Sequence, residues 1–229
     1  MGLSEHLMRV LHHYWLSSGS RYCRVMLAER KLEVMLKLEE YWEKQKAFLM
    51  LNPASTVPVM VEDDSTVLVG VWPITEYLDE AYPDSAMITG TPAQKAEIRR
   101  LTDWFAVKVE REVITPLVYE KLMRRLTGEG VPSSTAIRAS LSNLSAHMEY
   151  INHLAERRKW LAGPKLSSAD LYAAASLSVV DYLGDVQWQD WPEAKTWYSR
   201  IKSRPSFRSL LADNVTGLKP PAHYTDLDF

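Results

Sequence analysis

Leu68-Val69-Gly70-Val71-Trp72-Pro73-Ile74-Thr75-Glu76-Tyr77-Leu78 runs from a β-branched stretch, through a glycine, into a helical one with proline at its start. The apolar run before Gly70 reads as a strand, and Pro73 suits the first turn of a helix because the amide it lacks would be unpaired there. The helix is expected over residues 74–81. This strand-to-helix turn decides the fold, because everything on its N-terminal side fits the same small sheet.

Upstream, Val57-Pro58-Val59-Met60-Val61 and Thr66-Val67-Leu68-Val69 flank the polar turn Glu62-Asp63-Asp64-Ser65, which predicts a hairpin. Residues 8–14 form an earlier apolar run. They are followed by Ser17-Ser18-Gly19-Ser20, which supplies turn and capping chemistry before a helical run over 21–31. Val34, Leu36 and Leu38 then alternate with period two and are expected on one face of a second strand, completing a β-α-β unit. The order β-α-β, irregular segment, β-β-α is that of a thioredoxin-like domain, placed at residues 8–86.

After Thr89-Gly90-Thr91-Pro92 the alternation stops and helical spacing takes over, predicting an all-helical domain over 93–212. Ile98, Leu101, Phe105 and Val109 step by three and four, and Pro116 is expected to end or kink their helix. A loop is expected at 128–132. Ile137, Leu141, Leu144, Met148, Ile151 and Leu154 make a second apolar stripe. Ser167-Ser168-Ala169-Asp170 has the form of a capping box, and the apolar stretch 171–183 behind it predicts a central buried helix. Residues 213–229 are assigned to an extended tail stiffened by Pro220-Pro221.

The 229 residues are 46% hydrophobic with eight Trp and eleven Tyr, ample for packed cores. The formal net charge of −2 and the absence of a Lys/Arg run interleaved with aromatics argue against a nucleic-acid partner. Cys23 is the single cysteine, so neither a disulfide framework nor a cysteine zinc site is expected. His12 and His13 are neighbours on a strand and point to opposite faces, so no metal site is expected from them. No apolar run of about 18 residues or secretory h-region occurs, which predicts a cytoplasmic protein without membrane insertion.

Three motifs carry a resemblance to the glutathione-transferase superfamily. They are Ser17-Ser18-Gly19-Ser20-Arg21, Asn52-Pro53 with Val57-Pro58, and Ser167-Ser168-Ala169-Asp170. The resemblance implies a thioredoxin-like N-terminal domain on an all-α C-terminal domain, with Ser17 at the position that stabilises the glutathione thiolate. It also places Val57-Pro58 at the family's cis-proline. Where the family reads Glu-Ser to hold the γ-glutamyl end of glutathione, this chain has Gly70 and Val71. Charged hydrogen bonds contribute roughly 1.5–3 kcal/mol each, so losing two weakens binding by about two or three orders of magnitude. Glutathione binding is therefore expected to be weak or absent, with no catalytic residue and no cofactor, and Ser17, Val57, Pro58, Gly70 and Val71 form a vestigial site.

Residues 8–17, Leu38-Glu39-Glu40-Tyr41-Trp42-Glu43, residues 72–78 and the tail 220–229 resemble more closely the superfamily's cell-division branch in alphaproteobacteria. That resemblance implies a non-catalytic homodimer at the division site that binds, bundles and curves filaments of FtsZ, a tubulin-like GTPase. It makes Tyr41 and Trp42, Lys121 and Arg124, and the tail residues Asp226, Leu227, Asp228 and Phe229 candidates for partner binding. Trp42 also reads as cover for the sheet, and Arg124 as a solvated helix end. Two alternatives stand beside the adaptor reading: a glutathione-dependent transferase or isomerase using Ser17, and a structural subunit of another complex.

Overall fold

The computed structural model describes residues 8–227, which divide between Ala86 and Met87 into two compact units. In the first, β1 (Val10–His13) leads to α1 (Ser18–Glu29), β2 (Met35–Leu38), a 3-10 turn at Tyr41–Glu43 and α2 (Lys46–Leu51). The hairpin β3 (Val59–Val61) and β4 (Val67–Val69) then runs into α3 (Val71–Ala81). The sheet order is β2-β1-β3-β4. β1 and β2 are parallel, with Leu11 beside Leu36, and the remaining pairs are antiparallel, with Met60 beside both Leu11 and Leu68.

α1 exists because Ser17 caps it and its apolar residues reach one core. Tyr22, Cys23, Val25, Met26 and Leu27 have no exposed surface and meet Leu11, Val59, Met60, Ile74 and Leu78 there. Burial pushes the Cys23 thiol well above its ordinary pKa. The alternation placed Val34, Leu36 and Leu38 on one face, and all four residues of β2 are exposed, Met35 at 46% and Leu38 at 45%. It is an edge strand, and its apolar side chains have no covering layer within this unit.

The first unit closes with a 3-10 turn at Pro83–Ser85, and the first helix of the second is α4 (Pro92–Asp103), capped by Thr91 and Gln94 in a reciprocal box. The helix does not end at Pro116. It continues as a π-helical stretch Trp104–Ile114, α5 (Thr115–Val118), a second π-helical stretch Tyr119–Met123 and α6 (Arg124–Leu126). The physical reason lies in the wider turn. Around Pro116 the chain bonds five residues back, Thr115 N–H to the Glu110 carbonyl, and this register relieves the clash of the proline ring with the preceding turn.

α7 (Ser134–Arg157), α8 (Ser168–Tyr182), α9 (Pro192–Lys202) and the short α10 (Arg208–Leu211) complete the unit. Every residue of α8 is buried, as its all-round apolar pattern predicts. At its N-terminus the Asp170 carboxylate accepts from Ser167 N–H at 3.1 Å, Ser167 Oγ at 2.9 Å, Leu161 N–H at 2.7 Å and Trp197 Nε1 at 3.0 Å. At its C-terminus Gly184, with φ 75°, donates to Asp181 O, and Asp185 donates to Val180 O. This paired closure needs the left-handed conformation that glycine adopts freely.

Residues 213–227 were expected to extend away. Instead, Val215 N–H donates to Tyr182 Oη, and a 3-10 turn at Ala222–Tyr224 buries Tyr224 completely, edge-on to Tyr182 at 5.1 Å. Lys202 Nζ holds the His223 carbonyl at 2.8 Å, and His223 Nε2 pairs with Asp181 at 2.9 Å. The tail is a packed part of the helical unit.

Candidate functional site

The turn from β1 into α1 places Ser17 at the helix N-cap. Its Oγ accepts from Ser20 N–H at 3.2 Å, while Ser20 Oγ accepts from Tyr14 N–H at 3.3 Å. Ser17 is half-buried and its hydroxyl oxygen serves the helix, which leaves the O–H proton as what it can offer a thiolate. Beside it His13 is buried edge-on to Trp15 at 4.7 Å. Burial, reinforced by the Arg24 and Arg21 guanidinium groups, pushes its pKa down to about 3, so it is a neutral ring at physiological pH.

The Val57-Pro58 peptide is cis, and Asn52 organises the approach to it through Nδ2 to the Thr56 carbonyl at 2.8 Å and Oδ1 from Ala54 N–H at 3.0 Å. The Pro58 carbonyl accepts from Gly70 N–H at 3.0 Å, which locks this loop to the start of α3. Gly70 takes φ 88° and gives α3 no side-chain cap. A Cβ built there meets no atom within 4 Å. Residues 70 and 71 therefore offer the first turn of α3 no carboxylate, hydroxyl or amide side chain. Anion attraction by the helix start survives, but the two side chains that would read an α-amino acid end do not.

Tyr41 and Trp42 lie on the 3-10 turn after β2. Their rings stand edge-on to Tyr14, at 5.8 and 5.1 Å, and to each other at 5.3 Å. Ser55 Oγ donates to the Tyr41 carbonyl at 2.6 Å. Burial, with help from Tyr41 and Glu40, pushes the Tyr14 hydroxyl up to about 12. Both turn aromatics stay half-exposed, and Trp42 is braced by Tyr14 and Tyr41. Sequence reading missed the brace; Tyr14, an aromatic at the end of a core strand, was its one local signal.

Lys121 and Arg124 fall on intramolecular partners. Lys121 Nζ pairs with Asp185 Oδ1 at 2.5 Å, and Arg124 pairs with Glu120 at 2.7 Å while lying over the Tyr119 ring. The Glu120–Arg124 pair was legible as an i, i+4 spacing; Asp185, 64 residues from Lys121, was not. Asp226 is exposed and Leu227 half-buried, directly after the anchored Tyr224. Asp228 and Phe229 lie outside the described residues. Among the described residues no cluster of His, Cys, Asp and Glu is arranged to hold a metal ion, and no helix is long and apolar enough to cross a membrane.

A thioredoxin-like sheet with a cis-proline and a helical unit around a capped, buried α8 describe a glutathione-transferase scaffold. Family comparison agrees: the glutathione S-transferase N-terminal domain matches residues 16–81 and its C-terminal domain residues 132–205. The chain belongs to the glutathione S-transferase family. Within it, FtsZ-localized protein A of Caulobacter vibrioides is 43% identical over 224 residues, covering 96% of this chain and 98% of that protein. The solved structure of FzlA from C. crescentus superposes with a TM-score of 0.94 at 43% identity, over 97% of this chain and all of that one. A glutathione S-transferase structure from Rhodospirillum rubrum F11 superposes with a TM-score of 0.93 at 48% identity and the same coverage.

Proposed function

We propose that this protein is a non-catalytic adaptor that binds FtsZ filaments as a homodimer, bundling and curving them at the division site. The observation that carries the reading is the pairing of an end-to-end relationship to FtsZ-localized protein A with a glutathione position emptied of its reading side chains at Gly70 and Val71. Trp42, half-exposed on its Tyr14 and Tyr41 support, has the character of an interface anchor, since rigid aromatics dominate binding energy. The tail residues 226–229 follow a point fixed by buried Tyr224, so docking through them would cost less ordering entropy than a free peptide pays. Two copies of one binding surface on a dimer make the second filament contact effectively intramolecular, which is how a small protein bridges protofilaments.

The test is co-sedimentation with GTP-assembled FtsZ against unassembled FtsZ. The wild-type chain pellets with filaments only, and Trp42→Ala and deletion of residues 226–229 each reduce pelleting at least about tenfold, with circular dichroism unchanged. Absence of filament-dependent pelleting by the wild type overturns the adaptor reading. Light scattering reads the dimer as about twice the 26.2 kDa chain mass. The retained Ser17 cap and cis-Pro58 favour one rival, a glutathione-dependent transferase or isomerase. Calorimetry with millimolar glutathione that shows heat and a thermal shift would bring it forward.

A further inference from the structure

Residues 213–227 cross the helical unit as a strap, and side chains of that unit hold the strap by its backbone. Arg125, in α6, donates to the Gly217 carbonyl at 3.2 Å. Tyr182 Oη, at the end of α8, accepts from Val215 N–H at 2.9 Å and donates to the Leu218 carbonyl at 3.3 Å. Lys202 Nζ, at the end of α9, donates to the His223 carbonyl at 2.8 Å. Bonds to backbone groups fix the course of the strap without reading its side chains.

Two side chains of the 222–224 turn are engaged as well. Tyr224 is completely buried and donates to the Leu210 carbonyl at 3.0 Å. His223 is the informative member, because its side chain is 36% exposed and yet its Nε2 lies 2.9 Å from Oδ1 of Asp181, a carboxylate with no exposed surface. That carboxylate also accepts from Trp188 Nε1 at 2.8 Å and from Tyr198 Oη at 3.3 Å. Asp181 is thus oriented by the helical unit itself, and His223 reaches in to meet it. Lys202 has no exposed surface either, and its ammonium meets the same tail residue.

We propose, on the reading that residues 226–229 meet the filament, that His223 and Lys202 are positioning residues for that contact: with Asp181 they latch the 222–224 turn and set the direction in which the following residues are presented. A single 3-10 turn does not hold its own shape, so its geometry comes from its anchors. Tyr224 alone gives one point of attachment, about which the turn can swivel. The His223 ring and the His223 carbonyl add two more, on opposite sides of one residue's backbone and side chain. Both of these bonds involve a charged group, the Asp181 carboxylate or the Lys202 ammonium, and bonds of that kind are the stronger ones. A segment ordered before it binds loses less entropy on binding, so the latch acts on affinity without touching the partner.

The experiment pairs ¹⁵N relaxation of the free full-length chain with co-sedimentation on GTP-assembled FtsZ. In the wild type the heteronuclear NOE of residues 225–227 matches that of α9, and His223→Ala and Lys202→Met lower it while the amides of α8 and α9 keep their values. Equal values in wild type and variants overturn the latch without any reference to FtsZ. In sedimentation His223→Ala and Lys202→Met each weaken filament binding at least about fivefold, whereas His223→Gln, which keeps an N–H donor on its side chain, stays within about twofold of wild type. In the chain lacking residues 226–229, His223→Ala has no further effect, as required of a residue that acts only through the tail. An equal loss in the full and shortened chains, or His223→Gln as weak as His223→Ala, overturns the positioning role. If the shortened chain binds like the wild type, the filament contact of the tail falls and the positioning role falls with it, while the NOE comparison separately decides whether the latch exists. Should Lys202→Met fail to fold, the variants of the partly exposed His223 carry the test.

Discussion

Two helix starts in this molecule solve the same problem in opposite ways. At α8 the buried N-cap Ser167, through its N–H and its Oγ, converges with Leu161 N–H and Trp197 Nε1 on Asp170, which collects four donors from three parts of the chain. At α3 residue 70 is a glycine with φ 88°, residue 71 is a valine, and no side chain caps the turn. The first start holds the fold together and is saturated. The second has no side-chain cap at all. Selection for a folded scaffold preserves a buried polar knot because each lost partner leaves an unpaired group inside. A solvent-facing ligand contact carries no such folding penalty.

The largest expected effect tests the saturated start. Asp170→Ala leaves four buried donors without their acceptor and destabilises the protein by about 3–5 kcal/mol, read by urea denaturation. If the loss stays below 1 kcal/mol, the contrast between the two helices fails. The next test fills the bare start. Gly70→Glu combined with Val71→Ser raises glutathione affinity by about two orders of magnitude in calorimetry, since a Cβ at 70 meets open space. No gain would mean that the backbone around cis-Pro58 has also lost its fit to the peptide. Gly70→Ala alone isolates the conformational cost, about 1–2 kcal/mol, because a left-handed φ disfavours a Cβ even where nothing touches it. The smallest effect is Ser167→Ala at about 1 kcal/mol, the loss of one donor to Asp170 while the other three remain.

Legibility from the sequence follows the range of the interaction. The local part of the α8 knot, Ser167 to Asp170, was readable as a capping spacing; its reach to Leu161 and Trp197 was not, because nothing local encodes a partner 27 residues away. The strands, the hairpin and the apolar stripes of α4 and α7 declared themselves through periodicity. Pro116 was expected to end or kink its helix, and of the two it does not end it, because the chain changes register around the ring. Period-two alternation identified β2 as a strand and said nothing of the layer that covers it. The packing of the tail was not legible because Pro220-Pro221 predicts stiffness and nothing local encodes the contact of Tyr224 with Tyr182. At the candidate site the loss at Gly70 and Val71 was plain in the sequence, while the Tyr14 brace under Trp42 and the engagement of Lys121 by Asp185 required the fold.

Cys23 gives the molecule an internal clock. The single thiol of the chain sits on the buried face of α1 and is held protonated by its surroundings. A thiol-reactive dye reaches it only when the N-terminal unit opens, so the labelling rate of the unmodified protein counts those openings. If filament binding engages Trp42 on that unit, FtsZ should slow the clock, and the native protein reports its own occupancy without any added probe site.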